Sequence, residues 1–233
     1  MSGDDAPDDR RGSVDERLED RKALVSNLRR SGIRNERVLC VMARIPRERF
    51  VPADYTAHAY LDAPLPIGMG QTISQPKIVA EMTEALELAG GETVLEVGTG
   101  SGYQTAVLAG LCAKVISIER HERLSNGAAE RLASLGIRNV ELHVADGTLG
   151  WPSEAPYNAI IATGSLPDVP ERLLDQLAPD GGVFIGPVGN REFQRLVAVR
   201  RSGVWYTRRT LGGCRFVPLI GQAGWASGKP GKG

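Results

Sequence analysis

The sequence predicts an α/β protein with a doubly wound, mostly parallel sheet, antiparallel edge strands and N-terminal helices. Three observations predict it. Apolar runs of four or five residues alternate with helical patterns between Thr93 and Pro187, as in parallel sheets whose crossovers are helices. The first of these runs enters a turn with three glycines, V-L-E-V-G-T-G-S-G-Y from Val94 to Tyr103. After Pro187 the strand-like runs Leu196–Val199, Trp205–Thr210 and Phe216–Leu219 leave no room for helices, so they are expected to be antiparallel.

Taken in order, residues 1–13 are rich in Asp, Gly, Pro and Arg with little to bury, and are expected to be a disordered tail. Leu18, Val25 and Leu28, then Val38, Leu39 and Met42, form two helical stripes separated by Ser31 and Gly32. Phe50 to Pro76 carries four prolines and two glycines, and is expected to be ordered loop. Ile78–Leu88 reads as an amphipathic helix closed by Gly90 and Gly91. Strands at Thr93–Val97, Val115–Ile118, Val140–Val144, Ala159–Ala162 and Val183–Pro187 then alternate with helices at Tyr103–Leu111, Glu122–Leu135 and Pro170–Leu177. One domain over 14–221 is expected, made of a helical and loop subregion (14–76) and the sheet (77–221), with a flexible tail at 222–233.

Lys plus Arg and Asp plus Glu both total 28, so no net charge draws the chain to nucleic acid or an anionic membrane. Three cysteines, none in a C-x-x-C pair, suggest neither a disulfide framework nor a metal site. The acidic start is unlike a secretory signal and no apolar run reaches membrane-spanning length, so a cytoplasmic location is expected; the chain is separately expected to be a monomer. His58, His121 and His143 are scattered and read as surface or loop residues.

The glycine spacing narrows the ligand. A dinucleotide turn reads G-x-G-x-x-G, whereas this one reads G-x-G-x-G with Glu96 two residues before Gly98. A diphosphate beside a carboxylate is repelled, while a sulfonium or ammonium group is not, and S-adenosylmethionine carries both. Glu119, at the end of the second strand, suits ribose hydroxyls, and Asp146, after the third, suits a donor such as the adenine amino group. Read singly, each of these residues is equally well a tight turn or a helix cap.

Further motifs carry a family resemblance. The run A-Y-L-D-A-P-L-P-I-G-M-G-Q-T-I-S-Q-P ending at Pro76, the glycine turn, V-I-S-I-E-R, A-P-Y-N-A-I-I-A-T and R-F-V-P-L together resemble the protein L-isoaspartate O-methyltransferases over about Leu24 to Leu219. The resemblance implies a class I, Rossmann-like S-adenosylmethionine-dependent methyltransferase sheet. It implies methyl transfer to the α-carboxylate of L-isoaspartyl residues in damaged proteins or peptides, whose ester closes to a succinimide and returns toward aspartyl. Ser74 is the implied catalytic residue. The implied cofactor set is Gln75, Pro76, Glu96, Gly98, Thr99, Gly100, Gly102, Glu119, Arg120, Asp146 and Gly147, and Thr72, Ile73, Thr163 and Arg215 are candidate substrate contacts.

A carboxylate is already ionised at neutral pH, so this chemistry requires no general base. Ser74 would place the substrate carboxylate by a hydrogen bond; its alternative role is a helix N-cap ahead of Pro76. Arg215 would pair with the same carboxylate or simply hold the last strand. The chain departs from the family pattern at Lys77, at Ala145 in A-D-G, and at Thr163–Pro167, which puts substrate choice in question more than cofactor. Two other readings stay open: a methyltransferase dedicated to one partner peptide in peptide maturation, and a non-catalytic isoaspartyl-binding adaptor. A base-nitrogen methyltransferase is disfavoured, because no N-P-P-Y-like motif follows the fourth strand.

Overall fold

The computed structural model describes residues 12–227, with side chains described from residue 17. Two helices, α1 (Gly12–Arg30) and α2 (Glu36–Arg44), lead into 3-10 turns at Arg47–Phe50 and Ala53–His58. A hairpin of β1 (Leu65–Gly68) and β2 (Gln71–Ile73) precedes α3 (Pro76–Ala85). Then follow β3 (Thr93–Val97), α4 (Tyr103–Ala109), β4 (Lys114–Glu119), α5 (Glu122–Ser134) and β5 (Val140–Val144). The chain continues through β6 (Ala159–Ala162), α6 (Glu171–Asp175), β7 (Asp180–Gly189), β8 (Gln194–Ser202) and β9 (Trp205–Cys214).

The main sheet has the order β5-β4-β3-β6-β7-β8-β9, parallel from β5 to β7 and antiparallel at β8 and β9. The expected mostly parallel sheet with antiparallel edge strands is therefore present. From β3 the winding runs outward through β4 and β5, and from β6 outward through β7. The order reverses between β3 and β6, and their carboxyl ends splay into the crevice where such sheets bind ligands. Alternate side chains build a core on each face. Val94, Val115, Ile161 and Ile185 pack toward α2, α3 and α4, whereas Leu95, Ile116, Ile160 and Phe184 pack with Leu173 and Leu177 around α6. Continuous burial on β3, β4 and β6 is why these strands read as unbroken apolar runs.

Several expectations change. The segment read as irregular loop contains the β1–β2 hairpin, because Leu65 and Ile73 pair and bury while Gly68, Met69 and Gly70 take positive φ at its turn. Phe216–Leu219 is not a ladder strand. It makes one parallel bridge, Ser165 to Pro218, and Pro218 has no N–H with which to extend it. Leu18 is 41 % exposed, and the apolar stripe of α1 is Leu24, Val25 and Leu28. Of the tail expected at 1–13, Gly12 and Ser13 are helical and the rest lies outside the described residues. At the other end the tail expected from 222 begins as packed chain: Gln222 and Ala223 donate backbone hydrogen bonds to Asp146 and Thr148, and Trp225 to Leu219. Residues 228–233 lie outside the described part.

No described helix is long and apolar enough to cross a membrane. Ile161 lies at the centre of the sheet with no exposure. Ile161→Ala is expected to cost about 3 kcal/mol through lost burial and a residual cavity. Urea titration checks it as a lower midpoint with an unchanged slope.

Candidate active site

The glycine turn connects β3 to α4, and each glycine answers a different demand. Gly98 has φ +100, and a Cβ there would run into the Thr163 hydroxyl of the neighbouring strand end. Gly102, at φ +88, would place a Cβ 3.1 Å from that of Ala128, so its bareness lets α5 pack against the turn. A Cβ on Gly100 would meet only Ile67, at 3.4 Å, and this glycine lines the cleft. The turn is tied to β4, because the Gly98 N–H donates to the Ile118 carbonyl at 2.8 Å and the Gly100 N–H donates to Glu119 Oε2 at 2.9 Å.

Glu96 lies under this turn with no exposure and is absent from the cleft wall. Its Oε2 accepts from the hydroxyls of Thr105 at 2.5 Å and Ser117 at 2.6 Å. Since Ser117 spends its proton on Glu96, the 2.5 Å contact between Ser117 and Thr99 has Thr99 as donor. Burial raises the Glu96 pKa to about 8; the two hydroxyls oppose that rise and the charge of Glu119 adds to it. The carboxylate expected to face the ligand is therefore a buried, protonated carboxyl at neutral pH.

Glu119 is placed as expected, on the cleft wall at the end of β4, with its second oxygen accepting the His121 N–H at 3.0 Å. Each oxygen keeps a further lone pair for a ligand. Asp146 differs. Its Oδ1 takes the Thr148 N–H at 3.0 Å and the Thr148 hydroxyl at 2.6 Å, and its Oδ2 takes the Gln222 N–H at 2.7 Å. It anchors the C-terminal segment behind the wall, while Gly147 and Thr148 line the cleft in its place. A Cβ on Gly147 would stand 2.8 Å from Val97.

The other wall is the hairpin and the chain after it. Thr72, Ile73 and Ser74 line the cleft opposite Gly98, Thr99, Gly100, Arg120 and Thr163. Ser74 is not the cap of α3. The N-cap position is Gln75 without a side-chain bond, and the Lys77 N–H in the first turn donates instead to Asp62 at 2.9 Å. Ser74 is held by Arg47, a side chain with no exposure whose Nη2 donates to the Ser74 carbonyl at 2.8 Å and whose Nε donates to the Ala59 carbonyl at 2.7 Å. The guanidinium carbon lies 4.6 Å from the centre of the Tyr103 ring, which begins α4. Among the described residues no carboxylate pairs with Arg47. A fixed cation thus joins the Ser74 segment to the helix that leaves the glycine turn.

A second pocket adjoins the cleft and shares Thr72, Ser74 and Thr163 with it; Gln75, Lys77 and Arg215 lie on its other walls. Pro76 is buried as the first residue of α3, and Gly102 faces α5. Of the expected site residues, the structure gathers Thr72, Ile73, Ser74, Gly98, Thr99, Gly100, Glu119, Arg120, Gly147 and Thr163 on the cleft and Gln75 and Arg215 beside it. Glu96, Asp146, Pro76 and Gly102 stand behind it. Arg47 and Tyr103 join the site without a sequence signal: R-E-R-F in an ordinary basic stretch does not show that its first arginine is buried.

The raised Glu96 pKa fixes a pH effect on the protein without ligand. The folded state keeps a proton that the unfolded chain releases near pH 4.5, so stability is fullest below that value and falls as pH rises to about 8. Glu96→Gln is expected to remove this slope, on the order of a few kcal/mol across the window. Thermal melts of both proteins at pH 5 and pH 8.5 read it as a gap that opens only at the higher pH.

The sequence profile of the protein-L-isoaspartate(D-aspartate) O-methyltransferases matches residues 19–224. The protein-L-isoaspartate O-methyltransferase of Dictyoglomus thermophilum is 50 % identical over 205 residues, covering 88 % of this chain and 93 % of its own. That of Methanoculleus marisnigri is 52 % identical over 210 residues, covering 90 % and 94 %. A solved protein-L-isoaspartate O-methyltransferase superposes with a TM-score of 0.80 at 29 % identity, covering 88 % of this chain and 67 % of that one. With its cleft between the glycine turn and the Ser74 segment and this degree of likeness along nearly its whole length, the chain belongs to the protein-L-isoaspartate(D-aspartate) O-methyltransferase family.

Proposed function

We propose that this chain transfers the methyl group of S-adenosylmethionine to the α-carboxylate of L-isoaspartyl residues in damaged proteins and peptides, as a step of protein repair. The observation that carries the reading is the wall common to the two pockets. Thr72, Ser74 and Thr163 line both the glycine-turn cleft and the neighbouring pocket, so a methyl donor in one faces a carboxylate entering from the other.

The residues present fit the cofactor. Gly98, Gly100 and Gly147 keep the main chain bare at the strand ends, and Glu119 retains lone pairs for two ribose hydroxyls. Thr99 and Arg120 complete that wall, while Gln75 and Pro76 hold the chain that turns from Ser74 into α3. Glu96 acts from behind the turn, and Asp146 acts on the adenine end by fixing Gly147 and Thr148. When bound, S-adenosylmethionine supplies a methyl carbon made electrophilic by a positively charged sulfur.

The substrate carboxylate is ionised in water, so the chain has no proton to remove. Its task is alignment and exclusion of water. The Ser74 hydroxyl makes no hydrogen bond among the described residues and is available to the carboxylate, while Arg47 fixes the backbone that carries it. Ile73, Met82, Val217 and Pro218 make the cleft apolar around the line of transfer. Arg215, exposed on the neighbouring pocket, offers the entering carboxylate a cation. The methyl ester leaves, closes to a succinimide by attack of the next backbone nitrogen with loss of methanol, and hydrolyses in part to aspartyl. We extend the proposal to a cytoplasmic monomer, and the balance of 28 positive and 28 negative side chains supports the reading that neither nucleic acid nor an anionic membrane is its partner.

Two outcomes follow. With labelled S-adenosylmethionine and peptides differing only in isoaspartyl or aspartyl at one position, base-labile label is expected on the isoaspartyl peptide alone. Equal labelling of both, or of neither, overturns the reading. Ser74→Ala is expected to lower kcat about 10- to 100-fold through misplacement of the carboxylate while cofactor affinity holds within about twofold. Normal turnover in this variant would remove Ser74 from the mechanism.

A further inference from the structure

Glu96 is a buried titratable group to which methyl transfer itself assigns no task. It has no exposure and stands on β3 two residues before Gly98 of the cleft wall, about 7 Å along the chain. Oε2 accepts the hydroxyls of Thr105 and Ser117, while Oε1 is buried with no hydrogen-bond partner among the described residues. Ser117 in turn takes the hydroxyl proton of Thr99, which lines the cleft. A line of hydrogen-bonded side chains therefore runs from the wall to the carboxyl.

Two influences on the carboxyl oppose each other. Burial favours the neutral form, and two hydroxyls aimed at one oxygen favour the ionised form. Around it stand Ile161 from β6, Ser117 from β4 and Thr105 from α4, and its one charged neighbour is Glu119 at the end of β4. The balance lies at about 8, so the carboxyl is protonated at neutral pH yet close to ionising. A positive charge arriving across the wall favours ionisation. A neutral ligand leaves the proton in place.

We propose that Glu96 is the residue by which the site distinguishes the methyl donor from its product: it releases its proton to solvent when a sulfonium cation occupies the cleft and takes one back when a neutral thioether remains. The inference rests on the S-adenosylmethionine reading of the cleft, and it gives a specificity-determining role to a residue behind the cleft wall. Methyl transfer cancels the charge on sulfur, so the ionised carboxylate loses its counter-charge as the product forms. Reprotonation from solvent then ends the preference that held the donor. Opposite charges about 8 Å apart at an effective dielectric constant of about 20 favour binding on the order of tenfold or more.

Titration calorimetry tests this with the dissociation constants of S-adenosylmethionine and S-adenosylhomocysteine between about pH 6 and pH 9. The readout is the rise with pH of their ratio, product over donor, in the native chain and in Glu96→Gln. The variant keeps Glu119, Arg120 and His121 on the wall, and the ligands' own titrations are common to both proteins, so the difference belongs to Glu96. The native ratio is expected to rise about tenfold more than that of the variant. Native donor binding is also expected to release more protons than donor binding by the variant, read from two buffers of different ionisation enthalpy. Thr105→Val removes a hydroxyl that favours ionisation, and is expected to move the rise about one pH unit higher. Thermal melts check that both variants are folded.

An equal rise in the native chain and Glu96→Gln, or a rise unmoved in folded Thr105→Val, overturns this role of Glu96 while donor binding stands. Should Glu96→Gln not fold, Thr105→Val decides alone. Binding of neither ligand to the native chain overturns the methyltransferase reading, and this inference with it.

Discussion

The site depends on one buried carboxyl. Glu96 accepts a hydroxyl from α4 and another from β4, and through Ser117 it reaches Thr99 inside the glycine turn. Four pieces of chain meet at that group with almost no exposure, so the turn cannot shift without breaking buried hydrogen bonds. The glycines make the turn possible and the network under it makes it rigid. A bare backbone that also wandered would present no fixed surface to a ligand.

A second fixed point answers it across the cleft. Arg47 carries its charge into the interior, hydrogen-bonds the carbonyls of Ala59 and Ser74, and lies over Tyr103 at the head of α4. Burying a guanidinium without a carboxylate partner is costly, and here two carbonyls and an aromatic face offset that cost. The result couples the N-terminal chain, the Ser74 segment and the glycine turn. Both walls of the cleft hang from side chains that solvent does not reach, Glu96 under one and Arg47 behind the other.

The C-terminal segment completes the enclosure. Pro218 bridges to Ser165, and Gln222 and Ala223 are held by Asp146 and Thr148, so the last described residues roof the strand ends. The acidic residue after β5 thus shapes the cleft by holding a lid of backbone. On the opposite side the first turn of α3 borders the pocket that shares Thr72, Ser74 and Thr163 with the cleft.

The sequence by itself determined the alternation of strands and helices from β3 to β7, the glycine turn, and the cleft candidates Thr72, Ile73, Ser74, Glu119 and Thr163, because these depend on local pattern and short motifs. Burial on both faces made each central strand a readable apolar run, and glycine has few substitutes where φ is positive. Only the tertiary structure decided which polar groups face the cleft. Glu96 and Asp146 have the composition of ligand contacts, yet one is turned inward by hydroxyls 9 and 21 residues away and the other is taken by a backbone N–H 76 residues away. Arg47 resembles any solvated arginine until chain 12 and 27 residues further on closes over it. The direction of a side chain is set by neighbours distant in sequence, and no local pattern records them.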